Sequence, residues 1–400
     1  MKNKMFVVLT MACPILLAPI ADHSVIRLFS DSVICSASAE QVVDISGIGN
    51  KKFTVSVNVG NAAFAKCLQK NLEISGLFVA NPNGSVKVTG NVGAITASGG
   101  GKALNCTTAF SDDKSARMAA RQFANAMVEA WGQQKGFALD KIVFLKHGKQ
   151  HAVGAAVPGD LCTCYPDGYD IRQLTNDGKM SIFPRWKDAN TVYFISDRSG
   201  ATQIWEMNVA TEQAKRKWSF KGTPTGVAVS PDGTKVAAIL SFQGNPELYV
   251  LQGDSYIRMT TTQFEVEGQP TWSPDGKKIA FVRGDKTQQI WVIDVATKKE
   301  RRLTSRSRQN IDPDWGKDGR IVYVSNGGQI MVMEPATGDS SAQAVTTTGG
   351  WQHPSWARDG RHVVAGSGKS LFIVDTLKDG DKPRAVFTAN GDWISPSWAK

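Results

Sequence analysis

Apolar and polar positions fall into two textures that divide the chain. From about residue 137 onward, short runs of alternating or fully apolar residues recur, separated by Gly, Pro, Asp and Asn. That is the mark of many short strands joined by tight turns. Between 40 and 135 the texture is mixed. Residues 53–59 alternate as a strand, and 62–72 place Phe64, Cys67 and Leu68 on one helical face. Segments 85–92 and 103–110 read as strands flanking a flexible Ala-Ser-Gly-Gly-Gly turn at 97–101, and Ser111 with Asp112 opens a long helix through Trp131. This predicts a small α/β domain at 40–135, a joint at 132–136, and a separate all-β domain over 136–400.

Within the second part, ten of the eleven tryptophans lie beyond residue 180, and they expose a repeat. A Pro-x-Trp strand ends at Trp186, Trp272, Trp315, Trp356 and Trp398, and a degenerate copy ends at Val229. Successive markers are 43, 43, 43, 41 and 42 residues apart. A period in that range with four strands per unit predicts a propeller. The first unit, with strands near 142–145, 161–165 and 171–175, lacks a Pro-x-Trp strand, whereas nothing follows the last one at 396–398. The two fragments complete each other. The expectation is a six-bladed propeller whose C-terminal strand becomes the innermost strand of the N-terminal blade, which leaves only short edges. The repeated Asp232, Asp275, Asp318 and Asp359 occupy the same turn in successive units, so they read as turn residues rather than a convergent carboxylate set.

The N-terminus changes the picture of location. Lys2 and Lys4 precede an apolar stretch at 5–21, and a small-residue cleavage site, Ala37-Ser-Ala39, follows. Residues 1–39 therefore read as an export signal. Its removal takes three basic and two acidic residues, so the formal charge falls from +10 to +9. The basic residues form no stripe, which argues against nucleic acid as a partner. Of the remaining cysteines, Cys67 and Cys106 can pair in an oxidising compartment. His147, His151, Cys162 and Cys164 make a weak zinc-type set, weighed against ordinary buried thiols, and no metal or cofactor is assigned.

These features resemble the TolB family of the Tol–Pal envelope system. The resemblance rests on the domain order, on the closing Pro-x-Trp strand, and on the stretches WSPDGKKIAF (272–281), FISDRSG (194–200) and IWVID (290–294). It implies a non-enzymatic, monomeric periplasmic scaffold. Its mouth would receive the peptidoglycan-associated lipoprotein, Pal. Its mature N-terminus, Glu40, Gln41, Val42, Val43, Asp44 and Ile45, would be a strap meeting TolA, or simply an edge strand.

The loops before each Pro-x-Trp, at 176–183, 220–226, 261–269, 305–312, 347–353 and 389–395, are the least repetitive part of each unit. Loops of that kind carry function on a rigid frame. They hold the candidate partner-binding residues Phe264, Glu267, Gln269, Arg308, Asn310, Asp312, Trp351, His353, Asp392 and Trp393. Two alternatives stand beside the scaffold reading: a propeller binding a carbohydrate or small ligand through Trp351 and Trp393, and a propeller that gates a peptidase.

Overall fold

The computed structural model describes residues 52–147, 159–242, 244–262, 267–377, 382–387 and 391–399. The export segment, the 40–45 strap, His151 and Phe264 lie outside them.

The first domain is a five-stranded sheet covered by two helices. Strand Phe53–Val59 runs parallel to Phe78–Ala80 and to Val86–Asn91, and two hairpins then add Ala94–Gly99 and Lys102–Cys106. The sequence reading placed a turn over 97–101, but residues 94–99 form a strand. Its Ile95 and Ala97 point inward and are buried, so Gly100 and Gly101 alone make the turn. Helix α1, Ala62–Ile74, starts where the Asn61 side chain accepts the Phe64 N–H at 2.9 Å. Helix α2, Asp113–Gly132, starts with a capping box between Asp112 and Ser115 and ends at Gln133 in the left-handed region. Such caps satisfy backbone groups that the helix itself leaves open. Phe64, Leu68, Leu72, Phe123, Met127 and Trp131 share one core with the inner face of the sheet. Neither helix is long and apolar enough to cross a membrane. Cys67 and Cys106 do not form the disulfide that their presence allowed. Both are free, and the Cys67 thiol lies 3.2 Å from the Asp167 carboxylate of the propeller.

Six four-stranded antiparallel sheets follow, and they form the six-bladed propeller. Five blades are built from consecutive strands, starting at Ser181, Thr223, Glu267, Asn310 and Trp351. The sixth takes its innermost strand, Trp393–Trp398, from the C-terminus and pairs it with Ile142–His147. Blades are sealed by packed aromatic and aliphatic side chains. Trp356 and Trp398 are almost completely buried, and the Trp272 indole donates to the Ala228 carbonyl of the preceding blade at 3.1 Å. The four repeated aspartates cap their own turns, as in Ser273 Oγ and the Lys277 N–H to Asp275. Cys162 and Cys164 are buried among Phe144, Leu371 and Trp398, which explains them as core residues; burial pushes the Cys162 thiol up to about 12.

The first domain locks onto the closing blade through a buried charge cluster. Arg121 of α2 and Asp167, in the turn after strand Gly159–Cys164, are both fully buried, with Nε 2.7 Å and Nη2 3.1 Å from the two carboxylate oxygens. Asn71 donates to the same carboxylate at 2.8 Å, and Arg121 stacks over the Tyr165 ring at 3.8 Å. Gly168 has φ +76°, and a Cβ there would meet the Val386 carbonyl at 2.0 Å, so the turn requires glycine.

A second joint carries a titratable group. Asp140 Oδ1 lies 2.5 Å from the Arg358 guanidinium, while its buried Oδ2 has no hydrogen-bond partner among the described residues. Burial raises its carboxyl to about 7; Arg358 opposes that rise and the neighbouring Asp359 adds to it. A carboxyl raised on folding takes up a proton between its ordinary value and its folded one. This group therefore contributes less stability as pH climbs through that window, and its contribution levels off above it. The Asp140→Asn variant is expected to flatten the fall in melting temperature between about pH 4 and about pH 7. An unchanged slope would show that Asp140 ionises normally in the fold.

Candidate functional site

The site grows from one irregularity repeated around the ring. In five inner strands the residue before proline lies in the left-handed region: Phe183, Gln269, Asp312, His353 and Ser395, with φ between 48° and 54°. Opposite each of these prolines, pairing with the second strand slips. Proline has no N–H to give to a ladder, so the strand bulges there. A left-handed φ is costly for β-branched side chains, and none of the five is β-branched. The second blade lacks the motif, and Gly226 stands at the equivalent place. There a Cβ would press on Pro270 Cδ at 2.9 Å.

Bulging turns these side chains toward the channel axis, where they meet across blades. The Gln269 amide donates to the Asp312 carboxylate, and the Asp312 N–H donates back to Gln269 Oε1 at 3.0 Å. Asp312 Oδ2 accepts the His353 N–H at 2.9 Å, and His353 Nδ1 lies 3.2 Å from Oδ1. The Phe183 ring stands edge-on to His353 with centroids 6.3 Å apart, although a whole blade separates their strands around the ring. Burial raises the Asp312 carboxyl, but the His353 imidazole and N–H outweigh it and hold the group below the usual carboxylate range. The mouth end of the channel is thus floored by a ring of these residues, hydrogen-bonded across the third, fourth and fifth blades.

Of the ten sequence candidates, Gln269, Asp312 and His353 come together in this ring. Arg308 is exposed on its loop, and Asp392 makes a half-exposed ion pair with Lys369 at 3.1 Å. The other described candidates are occupied in the frame. Asn310 is buried, donating to Gln289 Oε1 at 3.0 Å and accepting from Ser307. Trp351 is only 6% exposed, packed with Ile330 and Val363, and its indole donates to the Thr348 carbonyl. Trp393 packs on Phe144 and Phe387 at 5.3 and 5.1 Å between ring centroids. Trp351 is therefore no open platform for a sugar ring, and Trp393 is half-buried against the two phenylalanines. Glu267 opens the third blade's inner strand, and its side chain, like that of His147, lies outside the described residues.

Two features escaped the sequence reading. One is a buried latch behind the mouth loops. Hydroxyls of Thr175, Thr260, Thr304 and Thr346 accept the N–H of Leu161, Leu248, Ile290 and Ile330 at 2.9 to 3.0 Å. A recurring apolar-Thr pair after the fourth strand in four of the six blades was the available signal. The other is the middle residue of Pro-x-Trp. Arg185, Thr271, Asp314, Ser355 and Ser397 sit two positions beyond the ring residues and so share their face of the strand. They line a deeper cavity in the channel.

A family model described as the TolB beta propeller domain matches residues 128–400. A Protein TolB homolog from Chlorobium luteolum is 28% identical over 148 residues, covering 36% of this chain and 33% of that protein. The Tol-Pal system protein TolB of Anaeromyxobacter dehalogenans is 26% identical over 163 residues, covering 40% and 36%. The chain therefore matches about a third of the length of these curated relatives. The crystal structure of TolB from Acinetobacter baumannii superposes with a TM-score of 0.72 at 19% identity, covering 88% of this chain and 97% of that one, which shows the shared fold.

Proposed function

This chain belongs to the TolB beta-propeller family, and we propose that it is a non-enzymatic periplasmic scaffold of a Tol–Pal envelope system. It receives a Pal-like lipoprotein at the propeller mouth, contacts a TolA-like protein through residues 40–45, and so supports outer-membrane integrity and constriction during division. The observation that carries this reading is the Gln269–Asp312–His353 ring, a pre-organised polar floor at the end of the channel where the variable loops gather. A rigid floor spends little ordering entropy when a partner docks. The groups that sequence offers for chemistry have structural work here: the repeated aspartates cap turns, and burial raises the Cys164 thiol well above its ordinary value.

The test combines exposed and ring positions. The triple variant Arg308→Ala, His353→Ala, Asp392→Ala is expected to weaken binding to purified Pal at least about tenfold, a loss of about 1.4 kcal/mol, with little change in melting temperature. Trp351→Ala is the structural control, expected to cost about 3–5 kcal/mol of stability because it empties a core position. Full-strength Pal binding by the triple variant would move the interface elsewhere.

A further inference from the structure

Past the ring, toward the turns between first and second strands, the channel opens into a cavity of about 420 Å³. Small-ligand sites commonly measure about 300–1,000 Å³. Its walls include Trp272, Trp315, Trp398, Pro270 and Pro274, and Arg185 projects into it.

Arg185 differs from the arginines that hold the blades together. Arg172, Arg258, Arg283, Arg320 and Arg361 each pair with a carboxylate within 2.5 to 2.8 Å, to Glu212, Glu247, Glu300, Asp318 and Asp375. Arg185 is half-buried in the channel wall and, among the described residues, makes a single side-chain hydrogen bond, from Nη1 to the Pro184 carbonyl at 3.0 Å. A guanidinium carries five N–H donors, so most of this fork faces the cavity. The nearby carboxylate of Asp312 is taken up in the mouth ring, and that of Asp314 is also committed. Its Oδ1 accepts from the Thr271 hydroxyl at 3.3 Å and its Oδ2 from the Trp356 N–H at 2.8 Å. Lys187, also on the wall, reaches Glu206 at 3.5 Å. The group left to recognise something is a cation, which selects an anion, and the wall at Pro231, Pro270 and Pro274 selects an apolar body behind it. A planar fork in an enclosed site matches a carboxylate bidentately.

We propose that the turn end of the channel binds a small carboxylic acid, with Arg185 holding the carboxylate and the wall at Pro231, Pro270 and Pro274, backed by the buried Trp272 and Trp315, beside its apolar body. This site begins two residues past the mouth ring and runs toward the turn end of the inner strands. It does not depend on the Pal reading, and the failure of either leaves the other standing.

The experiment uses the mature chain with ¹⁵N-labelled tryptophan, titrated with phenylacetate and, separately, with its neutral isostere phenylacetamide at constant ionic strength. The expected result is saturable movement of the indole N–H signals of Trp186, Trp272, Trp315 and Trp398, with Trp131 and Trp218 unmoved. Binding of the amide is expected to be at least about tenfold weaker, because it forfeits the charge-assisted pair. Arg185→Met should lose binding by a similar factor, and Arg185→Lys should fall between, keeping the charge without the fork. Equal binding of acid and amide, movement spread to Trp131 and Trp218, no movement by either probe, or undiminished binding by Arg185→Met would each overturn the site. If Arg185→Met does not fold, the acid-against-amide contrast on the wild-type chain decides alone.

Discussion

Truncation after Ile394 is expected to lower the melting temperature by more than about 10 °C, roughly the effect of losing 3–5 kcal/mol from a domain of this size. The segment removed is short, but it holds the closing strand's buried end. Trp398 is 1% exposed and stands edge-on to Phe137, with centroids 5.2 Å apart. The Trp398 N–H donates to Ser355 Oγ at 3.1 Å, the Ser397 carbonyl accepts the Trp186 indole at 3.0 Å, and the Ala399 N–H reaches the Lys141 carbonyl at 2.9 Å. Those bonds tie the closing blade to both neighbours. Their loss also bares the edge of Ile142–His147, and an unpaired apolar edge invites aggregation. Thermal unfolding by circular dichroism, with light scattering followed alongside, reads both effects. A truncated chain that melts within about 2 °C of the full one would mean that the ring does not need its closure.

Arg121→Ala should cost a similar amount, about 3–5 kcal/mol, because it leaves the buried Asp167 carboxylate without its main counter-charge. The double variant Arg121→Leu, Asp167→Leu is expected to recover part of the loss but not all of it. Replacing both charges removes the desolvation cost, yet Asn71 and the Tyr169 N–H, both donors to Asp167 at 2.8 and 2.9 Å, are then left unpaired. Chemical denaturation of the single and double variants measures the difference. Limited proteolysis near the joint should show the first domain released before the propeller melts, since this cluster is its buried attachment to the closing blade. A single variant as stable as the parent would remove the cluster from the account of how the two parts hold together.

Much of the frame was legible because its signals are local and repeated. The spacing of Trp186, Trp272, Trp315, Trp356 and Trp398 determined blade size, and the unmatched strands at the two ends determined closure. Turn aspartates were legible for the same reason, since Asp and Gly at fixed offsets have one local use. Strand 94–99 was missed because its Ala, Thr and Ser are weak markers and the adjacent glycines dominate the pattern.

The site itself was only partly legible. Sequence identified the mouth loops and the positions before each proline, and by itself it determined the repeat, the blade count and the way the ring closes. It ranked Trp351 and Trp393 as surface anchors because they stand outside the repeat, yet both are packed into the frame. It passed over Arg185 and Asp314 because each is one residue in a strand motif, and Arg121 and Asp167 because they stand 46 positions apart. Only the tertiary structure decided which polar groups meet. Closing the ring brings one residue from each blade to a common axis, and packing α2 on the closing blade buries an ion pair. Charge and hydrogen-bond partners depend on distances of a few ångströms, which the spacing of residues along the chain does not carry.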